Sequence, residues 1–197
     1  MTSRSLTISL GACLLAVSTY VSAAEAEGWY IGTGIGFAKN KINNFDYPPD
    51  STQKTNATGF KLYAGYQFSN HWATELEYVN LGKFSYDESD WHSSVHTSGL
   101  GMSMVGKLPL SEQFALLGKL GAFAKAAKVE SYDASGSYSA TEKTIRLSPL
   151  LGVGAEYQLT PNIALRAEYE YFGSTRMSED NTKLSNDLLS MSVRYSF

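Results

Sequence analysis

Beyond Trp29, most of the chain is built from eight runs in which apolar and polar residues alternate. The last of them, Leu189-Ser190-Met191-Ser192-Val193-Arg194-Tyr195-Ser196-Phe197, puts its apolar side chains on one face and Ser190, Ser192, Arg194 and Ser196 on the other, because successive strand side chains point to opposite sides. The first run, about Trp29 to Ala38, sets Trp29, Ile31, Thr33, Ile35 and Phe37 against Tyr30, Gly32, Gly34, Gly36 and Ala38. Phe60, Leu62, Ala64, Tyr66 and Phe68 then oppose Lys61, Tyr63, Gly65 and Gln67, and Trp72, Thr74, Leu76 and Tyr78 oppose Ala73, Glu75 and Glu77. Leu100, Met102, Met104 and Leu108 oppose Gly99, Gly101, Ser103, Val105 and Lys107. Phe114, Leu116, Leu120, Ala122 and Ala124 oppose Ala115, Leu117, Lys119, Gly121, Phe123 and Lys125. Leu151, Val153, Ala155 and Tyr157 oppose Leu150, Gly152, Gly154 and Glu156, while Ile163, Leu165, Ala167, Tyr169 and Tyr171 oppose Ala164, Arg166, Glu168 and Glu170. Three glycines on one face weaken an ordinary sheet, yet they suit the crowded interior of a narrow barrel.

The connections alternate as well. Short turns at Ser69-Asn70-His71, Leu110-Ser111-Glu112-Gln113 and Thr160-Pro161-Asn162 interleave with longer polar segments at about 39–57, 85–94, 128–143 and 173–186. Short turns at one end and long loops at the other are the outer-membrane arrangement, with the long loops outside the cell and, for an even strand count, both termini at the periplasmic end. Trp29, Phe68, Trp72, Phe114, Tyr157 and Phe197 gather by the short turns, and Phe37, Tyr78, Phe84, Tyr169 and Tyr171 approach the long loops, as two interfacial girdles require. A soluble β-sandwich would need a charge-free inner face, and here one face carries Glu75, Lys107, Lys119, Glu156 and Arg166.

The front of the chain supports the same reading. Arg4 is the only charge before Glu25, an apolar stretch runs from Leu6 to Val17, and Val21-Ser22-Ala23 supplies small residues, so residues 1–23 read as a secretory signal peptide. Cleavage is placed after Ala23, with Ala24 and Ala26 as alternatives. Cys13 does not mark a lipoprotein, because apolar sequence continues through Leu14, Leu15, Ala16 and Val17. Removing residues 1–23 leaves 174 of the 197 residues as one barrel domain, 24–197, without a cysteine. Its 15 basic and 19 acidic residues give a formal charge of −4, which argues against a nucleic-acid partner. No stretch of that domain approaches the ~20 apolar residues of a spanning helix, so insertion must use strands.

Gly65-Tyr66-Gln67, Glu75-Leu76-Glu77-Tyr78 with Leu81-Gly82, Gly106-Lys107-Leu108-Pro109-Leu110, Gly118-Lys119-Leu120-Gly121, Gly154-Ala155-Glu156-Tyr157 and Arg166-Ala167-Glu168-Tyr169 carry a family likeness. In order and spacing they resemble the transmembrane domain of outer membrane protein A. The resemblance implies an all-β, eight-stranded antiparallel up-and-down transmembrane barrel. It also implies a lumenal ion-pair network of Glu75, Lys107, Glu156 and Arg166, in which the family's proposed gate exchanges partners, with Lys119 and Glu168 at further inward family positions. Lys61, Glu77 and Glu170 are inward by alternation alone. The chain ends at Phe197, so the family's periplasmic peptidoglycan-binding domain is not expected here. Eight strands leave a lumen that side chains about fill. Interior charges must therefore pair, and the network reads either as a gate for small ions or, preferentially, as a stabilising plug.

Other chemistry is weaker. His96 and Ser98 share a face and could form a base and nucleophile of a lipid A deacylase-like enzyme, but no acidic residue stands at an orienting position on the next strand. His71 and His92 have no second ligand at metal-site spacing, and no cofactor is expected. Asp87, Glu88, Asp90, Glu179 and Asp180 make two long loops acidic; they read as solvated, with cation bridging to lipopolysaccharide phosphates as the alternative. Gly32-Thr33-Gly34-Ile35-Gly36 lacks a following helix and is no nucleotide loop. Tyr195-Ser196-Phe197 resembles the terminal signal captured by the outer-membrane assembly machinery. The expectation is a non-enzymatic, monomeric Gram-negative barrel serving envelope integrity and surface contact, with weak conduction as an added possibility, and with outer-membrane lipids and lipopolysaccharide as its surroundings.

Overall fold

Hydrogen bonding dictates the architecture. The computed structural model describes residues 27–43, 52–53, 56–88, 91–133, 139–176 and 183–197. Its strands are β1 (Gly28–Asn43), β2 (Thr52–Gln53), β3 (Asn56–Ser69), β4 (Trp72–Glu88), β5 (Trp91–Pro109), β6 (Phe114–Asp133), β7 (Ser139–Thr160), β8 (Ile163–Arg176) and β9 (Lys183–Ser196). Eight of these form a closed antiparallel ring, β1-β3-β4-β5-β6-β7-β8-β9, sealed by the β1–β9 ladder. The two-residue β2 pairs with Tyr86 and Asp87 of β4, outside the ring. No helix occurs among the described residues.

The ring is staggered. Following directly paired residues from Trp29 leads through Tyr66, Thr74, Met104, Leu120, Leu151, Tyr171 and Asp187 to Lys39, ten residues along the starting strand. That stagger fixes the strand tilt and keeps an eight-stranded lumen narrow. Alternation then sorts the side chains. Ile35, Met102, Leu120, Val153 and Met191 are exposed outward, whereas Tyr30, Lys61, Glu75, Phe123, Glu170 and Leu188 are buried inward. Rings pair at both rims of the outer face: Trp29 with Tyr66 at 5.3 Å and Tyr195 with Phe197 at 5.4 Å by the short turns, Phe60 with Tyr78 at 5.9 Å towards the other end.

The strands run further than the alternation does. The segments 85–94 and 128–143, expected to be long loops, are largely ladder: β4 and β5 stay paired to Glu88↔Trp91, and β6 and β7 to Tyr132↔Ser139. Period-two patterning arises from a contrast between two environments, and that contrast ends where the strands leave the hydrocarbon. Ladder hydrogen bonds need no such contrast, so the hairpins continue while the signal fades.

Two glycines mark where the ring parts. Gly82 (φ 80°) and Gly173 (φ 69°) occupy left-handed backbone conformations. Each sits at a register slip, Asn80/Lys83 between β4 and β5 and Tyr171/Ser174 between β8 and β9. Pro149 has no N–H to donate, and the β7–β8 ladder ends at Leu151↔Tyr171, just short of it. Above that level β4, β5, β6 and β7 continue as one four-stranded sheet, paired to Glu88↔Trp91, Trp91↔Asp133 and Tyr132↔Ser139.

The lumen is packed in layers. Tyr30, Tyr63, Ala73, Val105 and Leu117 form one apolar cluster. Ala38, Val79, Leu81, Phe123, Leu150, Phe172 and Leu188 form another, with the Phe123 and Phe172 rings 4.6 Å apart. Interior glycines allow this crowding. A Cβ on Gly121 would overlap the Met102 carbonyl, whereas one on the outward Gly118 meets nothing within 4 Å. Gly121→Val is thus expected to cost roughly 1–3 kcal/mol or to block closure, and Gly118→Ala to stay within about 0.5 kcal/mol of the parent. Urea unfolding in lipid vesicles, followed by tryptophan fluorescence, measures both.

A charged lumen as the candidate functional site

Glu75 and Glu77 of β4, Lys107 of β5, Lys119 of β6, Glu156 of β7, Arg166, Glu168 and Glu170 of β8, Lys61 of β3 and Arg194 of β9 all occupy inward positions of the period-two pattern. Closure brings them together. Glu156 Oε1 accepts from Lys107 Nζ and Arg194 Nη1, each at 2.8 Å, and its Oε2 accepts from Arg166 Nε at 3.0 Å and Nη2 at 2.8 Å. Arg166 Nη1 reaches across to Glu75 Oε1 at 2.5 Å, which also accepts from the Tyr30 hydroxyl at 2.8 Å. Glu75 Oε2 in turn lies 2.7 Å from Lys119 Nζ.

Lys119 is the hub of the upper half. Besides Glu75 its ammonium lies 3.3 Å from Glu77, 2.9 Å from Glu168 and 3.0 Å from Glu170. Lys61 Nζ donates to Glu168 and, at 2.8 Å, to Glu170. Two tyrosine rings insulate the guanidinium groups: Arg194 stacks 4.2 Å from the Tyr30 centroid and Arg166 5.1 Å from that of Tyr63. Arg194 Nη2 also donates to Gln67 Oε1 at 2.9 Å.

Five cations and five carboxylates thus form one connected, formally neutral set. Neutrality matters because each ion loses hydration worth several kcal/mol, which attraction offsets only when every charge has a partner. The apolar layer begins at the next inward positions. Val79 follows Glu77 on β4 and Phe172 follows Glu170 on β8, both fully buried. Within that layer Ser148 Oγ donates to the Phe172 carbonyl at 2.9 Å, and beyond it Lys125 donates to Asn186.

The structure brings Glu75, Lys107, Lys119, Glu156, Arg166 and Glu168 into that single chain of contacts. Lys61, Glu77, Glu170 and Arg194 belong to it equally. Their signal in the sequence was parity: all four are inward, and the family likeness drew attention to other positions. Tyr195 lies outward on β9, and Phe197, just past its end, is exposed and donates its N–H to the Trp29 carbonyl at 3.1 Å. At the other candidate site, His96 Nε2 lies 3.3 Å from the Asn80 side-chain amide, and Ser98 stands opposite Asn80 and Ala126. The histidine's neighbour is an amide, so no carboxylate orients it among the described residues. His71 sits exposed in a turn, and its backbone carbonyl accepts from Lys107 N at 2.7 Å. Asp90, Glu179 and Asp180 lie outside the described residues, as do the side chains of Phe84, Asp87, Glu88 and His92.

A closed antiparallel ring that is apolar outside and ionic within is an outer-membrane β-barrel, and the protein resides in the outer membrane of a Gram-negative cell. Residues 24–197 match the model of the OmpA-like transmembrane domain, and the chain belongs to that family. Outer membrane protein A of Salmonella typhi is 26% identical over 194 residues, covering 96% of this chain and 54% of its own length. The counterpart from Escherichia coli O157:H7 is 26% identical over 192 residues, with coverages of 96% and 54%. The chain therefore spans about half the length of these relatives. Among solved folds, the attachment invasion locus protein Ail of Yersinia pestis, crystallised with the heparin analogue sucrose octasulfate, aligns with a TM-score of 0.55 at 22% identity, over 85% of this chain and 99% of that one. Neisserial surface protein A aligns with a TM-score of 0.52 at 22% identity, over 86% and 97%.

Glu156 serves three cations at once. Glu156→Gln is expected to strand buried positive charge and to destabilise the barrel by about 3–5 kcal/mol, read from the urea midpoint in vesicles. Replacing Glu156, Arg166 and Arg194 together by apolar residues of similar volume recovers most of the loss.

Proposed function

We propose that this protein is a sealed structural barrel that braces the outer membrane and presents its long connections for surface contact, without acting as an enzyme. One observation carries the sealed reading: an apolar layer, with Val79, Leu81, Phe123, Leu150, Phe172 and Leu188 all at 0% exposure, lies across the lumen above the neutral ion set. A permeating ion needs a wet path, and a hydrophobic constriction closes one by dewetting. The ion set is then a plug that stabilises closure. Weak conduction, in which Arg166 trades Glu75 or Glu156 for another partner, would require that layer to open as well.

Residues 1–23 act as the export signal, a reading supported by a family match that begins at residue 24. The mature barrel works as a monomer among phospholipid and lipopolysaccharide. Surface contact is supported by the fold it has in common with Ail, a protein crystallised with a heparin analogue. Tyr195 and Phe197, outward at the end of the closing strand, serve as the assembly signal through strand capture.

In planar bilayers the native protein is expected to show no channel events, and Phe172→Ser combined with Leu188→Ser to introduce them. A native channel whose conductance changes with Glu75→Gln, but not with the double serine variant, overturns the sealed reading in favour of an ion-pair gate. Deleting Phe197 is expected to lower assembly in cells far more than refolding into detergent; equal losses remove the recognition role.

A further inference from the structure

Glycines facing the lumen have a reason to be glycine. A Cβ on Gly34, Gly36 or Gly154 would press on the backbone of the adjoining strand, and one on Gly32 or Gly65 would enter the ring of Tyr63 or Tyr30. Gly106 and Gly118 have no such reason. Both face outward, neither has positive φ, a Cβ on Gly118 meets nothing within 4 Å, and one on Gly106 makes ordinary contact with Trp72 at 3.4 Å. Glycine in a strand interior costs stability, so the missing side chains answer to something outside the barrel.

The two positions are direct cross-strand partners, and the register surrounds them. Trp72 pairs with Gly106 on one side and Val153 with Gly118 on the other; Met104↔Leu120 lies above and Leu108↔Leu116 below. All six neighbours are exposed. Two absent side chains in an otherwise continuous apolar surface leave a groove of about 490 Å³ with His71 at its lip. It lies at the short-turn end, which faces the periplasm. The groove is continuous with the lipid-facing belt; Lys107 also lines it, but its ammonium turns inward to Glu156 at 2.8 Å, and the outward walls Trp72, Leu108 and Leu116 are apolar, so its occupant comes from the bilayer and is a hydrocarbon.

We infer that the Gly106–Gly118 groove seats one acyl chain of a periplasmic-leaflet phospholipid and holds it longer than the lipids around it. Within a membrane there is no gain from leaving water, and close packing decides which contacts persist. A chain in the groove touches walls on several sides, where a chain against the side-chain-covered surface touches one. This inference stands apart from whether the lumen conducts.

The test is native mass spectrometry of the barrel purified from outer membranes and delipidated stepwise. The parent is expected to keep one phospholipid, identified by its headgroup and chain masses, after the other lipids are stripped. Gly118→Leu, which fills the groove where space is open, and Trp72→Ala, which removes a wall, are expected to lose it, and Gly118→Ala to weaken it. Circular dichroism checks that each variant is folded, and Gly118→Ala keeps the test alive should the larger change disturb assembly. Equal retention across folded variants overturns the inference. So does retention of lipopolysaccharide in place of phospholipid, or a species of twice the mass that Gly118→Leu abolishes, which would make a second copy of the chain the occupant.

Discussion

A backbone inside hydrocarbon has no water to bond, so every N–H and C=O in the span must find a partner within the protein. That single requirement closes the ring, and the rest follows from closure. A sheet of eight strands can meet its own edge only with a tilt and a stagger; here the ladder returns to β1 ten residues higher, at Lys39. The stagger sets the diameter, and the diameter admits side chains but little else. Glycine becomes obligatory wherever a neighbouring backbone or a tyrosine ring crosses the lumen, as at Gly36 and Gly65.

Closure also governs the charges. The charges of the ion set alternate into a lumen too narrow for a hydration shell, so each is answered by another, while Lys125, beyond the apolar layer, donates to Asn186 instead. Glu156 and Lys119, each with contacts to three or more opposite charges, show how few geometries satisfy ten ions at once. Tyr30 and Tyr63 complete the arrangement. Each presents a ring face to a guanidinium, and each hydroxyl has a polar neighbour, Glu75 Oε1 for Tyr30 and Ser192 Oγ for Tyr63.

Much of this was legible in the residues because one cause, the contrast between lipid and lumen, writes the period-two pattern. Inward and outward faces could be read strand by strand. The extent of β5, β6 and β7 could not, since Trp91–Thr97, Val129–Asp133 and Ser139–Ile145 stay in the ladder with no second environment to pattern them. Parity placed Arg194 and Lys61 inside but could not say that they join the same ion set as Arg166, because strand register and stagger decide who meets across a barrel and neither is local. The apolar layer was hidden for the same reason. Phe123, Leu150, Phe172 and Leu188 lie far apart in the chain, and Phe172 follows the run of alternation on β8 into a bulge that no hydrophobic period announces.

The two ends of the lumen differ, and the difference bears on what the barrel does. At the short-turn end the Lys107 side chain keeps 10% of its surface open, and a pocket of about 190 Å³ lined by Asn70, Lys107, Glu156 and Gln158 reaches the ion set. At the other end the apolar layer intervenes before Lys125. Under the proposed sealed reading, water approaches the charges from the periplasm and is stopped on the way out. A plug hydrated from one side relaxes the desolvation cost of its outermost ions, Lys107 and Arg194, while the buried hub at Lys119 relies wholly on its carboxylates. Under the proposed reading this leaves no through path, so the barrel's work falls to its outer surfaces: the belt that meets lipid and the connections that meet the world beyond it.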